Sequence, residues 1–398
     1  MSKKTVGECA KLIRGVSYKK QDAIQTPKEG YIPVLRANNI VNNQLVWTEL
    51  IYVPCEYVND SQYVRAGDVM ITMSSGSKAH VGKVALANKD FFATFGAFCG
   101  KLVCEEIDPK YLAFVLQSRT FRQYIESASK GTNINNIKQS HILNYEIEVP
   151  QDCEQKRIVS KIEELFSKLD ASVAELQTAK EKLKVYRQAV LKEAFTPGKD
   201  WKKLKALDVG EVKLGRQRSP QNVSNLYPTK YIRAANITEQ GLDLSDVLEM
   251  EFTPTEQSKY TLQENDIVIS EASGSPTQVG KPALWKCELQ TCCFQNTVIR
   301  HRVKEANPEY VFWYYKYLYI SGYFSRIVGG VGINHLGAKN FSNIEIPIPS
   351  VLDQTKIVQR IERVLSVYGN IEQTIDTSLQ QAEALRQSIL KQAFEGGL

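Results

Sequence analysis

From Pro150 onward the apolar residues keep a fixed rhythm. Ile158, Ile162, Leu165, Leu169, Leu176, Leu183, Tyr186 and Val190 step by fours and threes or by their sum, with Glu, Lys and Gln between them. After Pro349 the rhythm returns at Ile357, Ile361, Val364, Tyr368, Ile371, Ile375, Ala382, Leu385 and Ile389. This is the seam of a coiled coil, and it predicts a long helix in each half of the chain. From Asp152 to Phe195 there are 44 residues, some 60 Å at the helical rise per residue. The helices end at Thr196-Pro197-Gly198 and at Glu395-Gly396-Gly397, where proline and glycine stop a helix. So narrow a stripe is poorly stable alone, and each helix is the natural partner of the other. The order globular part, helix, globular part, helix favours antiparallel pairing.

The remaining residues read differently. Short β-type runs such as Asp68-Val69-Met70-Ile71 and Asp266-Ile267-Val268-Ile269 alternate with Gly, Ser and Asn turns. Each globular part has one conspicuous helix start, Asp108-Pro109-Lys110-Tyr111 and Asn307-Pro308-Glu309-Tyr310. An Asp or Asn cap followed by proline suits that position, because proline's missing N–H costs nothing there.

These parallels belong to one internal repeat with a shift near half the chain length. Met70 to Leu86 and Val268 to Leu284 agree at nine of 17 positions, and Arg187 to Phe195 and Arg386 to Phe394 at six of nine. Leu35-Arg36-Ala37-Asn38-Asn39-Ile40 answers Ile232-Arg233-Ala234-Ala235-Asn236-Ile237, and residues 131–137 answer 330–336. The fold class expected is α+β. Two mixed α/β domains, at 1–150 and 200–349, are separated by two long antiparallel coiled-coil helices, at 151–199 and 350–398, in a pseudo-twofold repeat.

Composition adds limits. Fifty basic against 44 acidic residues leave a net charge of +6, which permits a nucleic acid partner without demanding one. Eight scattered cysteines form no CxxC pair and only four histidines are present, so no zinc site is expected and the thiols read as reduced, in a cytoplasmic protein. There is no run of 18 apolar residues, hence no expected membrane span.

Several chemical motifs fail on spacing. Five residues separate Gly76 from Gly82 and Val84 follows Lys83, so this is not a nucleotide-binding loop. The Asp/Asn-Pro-x-Tyr sites lack the second proline and the donor loop of amino-methyltransferases. No nucleophile–base set can be assembled from four scattered histidines. The aromatic run Tyr310 to Tyr317 reads as a core-facing helix, with base stacking as its other use.

What differs between the copies is more telling. Lys78-Ala79-His80 becomes Pro276-Thr277-Gln278 and Thr132-Asn133 becomes Val331-Gly332 inside a matching framework. Two related sites that read different things would look like this. Asn and Gln suit adenine edges, Arg and Lys suit guanine, and Ser and Lys suit phosphates. The candidate DNA contacts are therefore Arg36, Asn38, Ser75, Ser77, Lys78, Lys83, Asn133, Asn135, Asn136 and Lys138 in the first copy. In the second they are Arg233, Asn236, Ser273, Ser275, Gln278, Lys281, Asn334, His335 and Lys339. Domains held apart on stiff helices would touch DNA at two places one to two turns apart, so the expected target is split and asymmetric.

The whole chain, twice over, resembles the specificity subunits of type I restriction–modification systems. The resemblance rests on Ile346-Pro347-Ile348-Pro349, on Gln155-Lys156-Arg157-Ile158-Val159 and Gln354-Thr355-Lys356-Ile357-Val358, and on the helix-ending Arg-Gln-x-[Val/Ile]-Leu-Lys-x-Ala-Phe. It departs from that pattern at Thr5-Val6-Gly7, which lacks the tryptophan-led opening of Trp201-Lys202-Lys203-Leu204. The resemblance implies two target recognition domains and spacer helices that dock two methyltransferase subunits, joined in turn by restriction and motor subunits. Docking is expected through Arg187, Gln188, Leu191, Phe195, Arg386, Gln387, Leu390 and Phe394. It also implies no catalysis and no cofactor on this chain, with S-adenosylmethionine, ATP and Mg confined to partners. A stand-alone DNA methyltransferase or nuclease, and a coiled-coil protein adaptor, are the alternatives.

Overall fold

The computed structural model describes residues 2–77, 80–128, 136–217, 226–328 and 334–395. The chain divides into two compact units, Met1–Leu176 with Asp376–Leu398, and Gln177–Ile375. Each long helix, Asp152–Ala194 and Val351–Phe394, gives one part of its length to each unit.

In the first unit, four antiparallel strands lie in the order Ala10–Arg14, Cys99–Cys104, Val69–Thr72, Val84–Leu86. A second sheet orders Ile51–Pro54, Tyr31–Leu35 and Thr94–Phe95, the last pair parallel. Ser2–Thr5 pairs with Glu146–Val149, closing the domain beside the start of the long helix. The second unit repeats this. Gly210–Leu214, Val298–Val303, Ile267–Ser270 and Pro282–Leu284 form the main sheet; Leu248–Glu251, Pro228–Ile232 and Cys293–Phe294 form the second; and Lys202–Lys205 pairs with Glu345–Ile348. Val69–Thr72 and Ile267–Ser270 are buried along their whole length, which explains why both read as continuous apolar runs rather than alternating ones.

The expected caps form. Asp108 accepts from the Lys110 and Tyr111 amides at 2.8 and 3.0 Å, and Asn307 from those of Glu309 and Tyr310 at 2.8 and 3.2 Å. The same junction explains the glutamine that opens each long helix. Gln155 accepts from the Asp108 amide at 2.8 Å and donates to the Pro150 carbonyl at 2.9 Å. Gln354 does the same with Asn307 and Pro349, at 2.8 and 2.9 Å. Both amides are buried with donor and acceptor satisfied, so each locks its helix onto its domain.

Within each unit the two long helices run antiparallel. In the first, Ile158, Val159, Ile162 and Phe166, near the start of one, share a core with Ile389, Leu390 and Ala393, near the end of the other. In the second, Leu191 and Phe195 share a core with Val358 and Ile361, and the Tyr186 and Tyr368 rings lie 6.4 Å apart. The seam is looser than its periodicity suggests. Leu183 and Ile375 are buried, but Tyr186, Leu385 and Ile371 remain 52%, 51% and 42% exposed. A two-helix pair can cover only one side of each knob.

Candidate nucleic-acid interface

The glycine-rich loops and the loops before Ile137 and Leu336 are distant in sequence, and the fold brings them together. In the first domain Ser74 bridges Asn136, and the Ile137 amide donates to the Met73 carbonyl at 2.8 Å. In the second, Ala272–Ser273 pairs with Asn334–His335, and the Leu336 amide donates to the Glu271 carbonyl at 2.9 Å. Glycine is needed in these loops for backbone reasons. Gly82 and Gly280 have φ of +79° and +80°, and a Cβ on Gly280 would come within 2.2 Å of the Phe324 ring.

Around each junction the residues expected at DNA separate into those at the surface and those used by the fold. Ser75 and Ser273 accept from the amides of Ser77 and Ser275 at 3.3 and 3.2 Å, shaping the loop tips. Ser77, Asn136, Lys138, Ser275, Gln278, His335 and Lys339 are exposed, and Lys83 and Asn334 half-buried. Lys78, Asn133 and Asn135 lie outside the described residues.

Two expectations, those at Asn236 and Lys281, need correction. Asn236 is buried: its carbonyl accepts from the Arg233 amide at 3.0 Å, and its amide donates to Asp243 and Asp246 carbonyls at 2.9 and 3.0 Å. It staples a turn and has no edge left for a base. Its counterpart is Asn39, with the same bonds, and not the exposed Asn38. Lys281 is likewise buried, its ammonium donating to the Gln278 side-chain Oε1 at 2.6 Å, so it organises its loop from below. Arg36 and Arg233 are engaged within the chain, Arg36 with the Glu49 carbonyl at 2.7 Å and Arg233 with Asp246.

The docking residues are also mostly absorbed by the chain. Leu191 and Leu390 are completely buried, Phe195 packs on the rings of Tyr310, Tyr314 and Tyr317, and Phe394 packs edge-on to Tyr111. These side chains seal the helix ends onto the domains, and burial leaves Leu191 and Leu390 no surface for a partner. Arg187 pairs with Glu372 at 2.7 Å; Arg386 pairs with Asp170 and lies over the Phe166 ring. Gln387 donates to Glu383 at 3.4 Å. Gln188 is exposed.

The aromatic run is core. Tyr310 and Tyr315 are buried, and Tyr310 donates to the Pro347 carbonyl at 2.6 Å. Burial raises both phenols far above their ordinary range. The buried thiols behave alike, Cys99 and Cys292 being pushed up to about 12 by desolvation, which leaves them unreactive. Among the described residues no group of His, Cys, Asp and Glu is placed to hold a metal, and no helix is long and apolar enough to cross a membrane.

Four residues at the junctions, Met73, Phe98, Glu271 and Thr297, carried no earlier expectation. Phe98, 69% exposed, accepts from the Met73 amide through its carbonyl at 2.8 Å. At the matching place Thr297 accepts from the Glu271 amide at 2.8 Å, and its hydroxyl takes the Ala234 amide at 3.1 Å. No sequence signal singled them out, since Met73 and Glu271 fall among the eight of 17 positions at which the aligned stretches differ.

Comparison with known proteins places these observations. The model of the type I restriction modification DNA specificity domain matches residues 1–181 and again 198–381. The EcoKI specificity subunit of Escherichia coli K12 is 33% identical over 97% of this chain and 87% of its own length. The StySPI specificity subunit of Salmonella potsdam is 32% identical over the same shares, 97% and 87%. Among solved structures, a chain from work on assembly and conformational transition of the type I R-M system superposes with a TM-score of 0.75, 17% identity, and coverage of 100% and 98%. The HsdS subunit of Thermoanaerobacter tengcongensis gives 0.53 at 18% identity, covering 100% and 97%.

Proposed function

Because the chain belongs to the type I restriction–modification DNA specificity family, we propose that it selects the duplex DNA sequence on which a restriction–modification complex acts. The carrying observation is one framework built twice, with different side chains at the same loop junction: Met73, Phe98 and Asn136 in one copy, Glu271, Thr297 and His335 in the other. Matched frameworks hold two readers, and unmatched side chains let them read different half-sites. In this reading 1–150 and 200–349 are target recognition domains and 151–199 and 350–398 are spacers, so the target is bipartite and asymmetric. Two methyltransferase subunits, and restriction or motor subunits through them, supply catalysis in the cytoplasm. S-adenosylmethionine, ATP and Mg belong to those partners. Asp108 and Asn307, the residues nearest to a methyltransferase motif, act as helix caps, which supports a chain without chemistry of its own.

Mapping methylated adenines in the host genome tests the proposal. A target of two short words with a fixed unread gap is expected, and a single uninterrupted word rules the reading out. Binding by the assembled complex should fall steeply with salt; a salt-insensitive chain without DNA affinity would favour the adaptor reading. Lys83→Ala should weaken binding to all sequences alike.

A further inference from the structure

The junction of the second domain contains a device that the first domain lacks. Glu271 is only 6% exposed, yet it carries a carboxylate where the first domain has Met73. One oxygen accepts from the Gly337 amide at 3.3 Å, and the His335 Nδ1 lies 3.1 and 3.3 Å from the two oxygens. A carboxylate at that distance requires the hydrogen of the imidazole to sit on Nδ1. In the neutral ring that tautomer presents Nε2 as a bare acceptor, the form on which the reading below rests. The His335 side chain is 56% exposed, and of its two ring nitrogens Nδ1 is the one taken by the carboxylate, which leaves Nε2 for an outside partner. The backbones on either side of this contact are joined as well, the Leu336 amide donating to the Glu271 carbonyl at 2.9 Å.

We propose that the second domain reads one base through His335 Nε2, which accepts a hydrogen bond from an exocyclic amine, adenine N6 or cytosine N4, in the major groove. Glu271 is the positioning residue that fixes the ring and its tautomer. These amines are the only donors that base edges present in that groove, so an acceptor held in one tautomer discriminates where a freely rotating side chain does not. The first domain, with Met73 and Asn136 at these places, reads its own half-site by other contacts. The inference rests on the DNA-selecting function proposed above.

The test uses the full chain assembled with its methyltransferase subunits and a duplex library randomised across the mapped target. Wild type should favour adenine or cytosine on one strand at a single position in the half-site of the second domain. His335→Ala should lower that preference about threefold to tenfold, the size of one hydrogen bond, and leave the other half-site unchanged. Glu271→Met installs the residue that the first domain already carries there, and should weaken the same position. Glu271→Gln, close to isosteric, serves if the methionine variant misfolds. An atomic control removes the amine, with purine for adenine or 2-pyrimidinone for cytosine: wild type should lose affinity and His335→Ala should not. Unchanged preferences in the His335 variant overturn the proposal, as does a uniform flattening of all positions, which would mark His335 as part of the scaffold. A wild-type complex that selects no sequence would instead sink the underlying DNA reading.

Discussion

The central strands Cys99–Cys104 and Val298–Val303 occupy the same place in the two domains and bury a cation at the same position, but they neutralise it differently. Lys101 is 3% exposed, with its ammonium 2.7 Å from Asp68 and 2.7 Å from the Tyr63 carbonyl. Arg300 stands at the matching position and is 1% exposed, but it turns to Glu211 at 2.7 Å. The aspartate of the second domain, Asp266, instead accepts from Nε and Nη2 of Arg302, at 2.8 and 2.7 Å. Desolvation, and then the neighbouring Arg302, lower the affinity of Arg300 for its proton. Duplication preserved the aspartate that caps the turn before the strand and let the cation change. The framework therefore tolerates different electrostatic solutions provided that no buried charge is left alone.

That comparison can be broken most directly by removing the cations. Lys101→Met strands Asp68 in a dry core and should cost about 3–5 kcal/mol. Arg300→Met leaves only Glu211, whose side chain is 37% exposed and can be rehydrated, so about 1 kcal/mol or less is expected. Urea unfolding followed by hydrogen exchange on peptides of each unit measures both; equal losses would show that the two arrangements are energetically the same. Acid should separate the units next. His301 is fully buried against Tyr315, 2.8 Å from its hydroxyl, where the first domain has buried Leu102. Desolvation above all drives the proton affinity of His301 down from 6.5 to about 4. Between those values the unfolded chain binds a proton that the folded chain refuses, so stability falls as pH drops from 6.5 towards 4, by up to about 3 kcal/mol. Exchange protection of the second unit should fail first on acidification, and His301→Leu should remove the difference.

The sequence disclosed what depends on periodicity and local rules. The long helices, their antiparallel pairing within each unit, the capped helices at Asp108 and Asn307 and the duplication all follow from spacing and from residues that act on near neighbours. Burial of a polar side chain depends on where distant segments meet, and spacing does not carry that. Asn236 and Lys281 have the chemistry of DNA contacts and are consumed by turns. Leu191 and Leu390 lie on helix ends that a partner was expected to use, and the domains of the same chain reach them first. Glu271 was invisible for the complementary reason, a carboxylate in an apolar run whose partner, His335, comes from a strand 64 residues away.

The smallest expected effect concerns the two arginines at matching places on the long helices. Arg187 meets Glu372 and Arg386 meets Asp170, acids that do not match each other in the repeat and differ by about one helical turn. The arginine was kept while its partner moved, as a long flexible side chain allows. Both pairs are partly open to solvent, which limits each to about 1 kcal/mol. Arg386 has a second attachment, its guanidinium lying 4.2 Å from the centre of the Phe166 ring, worth about 0.5–1 kcal/mol more at a site of this exposure. Charge reversal to glutamate should therefore cost more at Arg386 than at Arg187, and 1 M salt should shrink the cost at Arg187 further, since ion pairs are screened more than ring contacts. Thermal melts of the two variants at low and high salt decide it. If the order is reversed, the paired acid and not the ring sets the strength of these helix contacts.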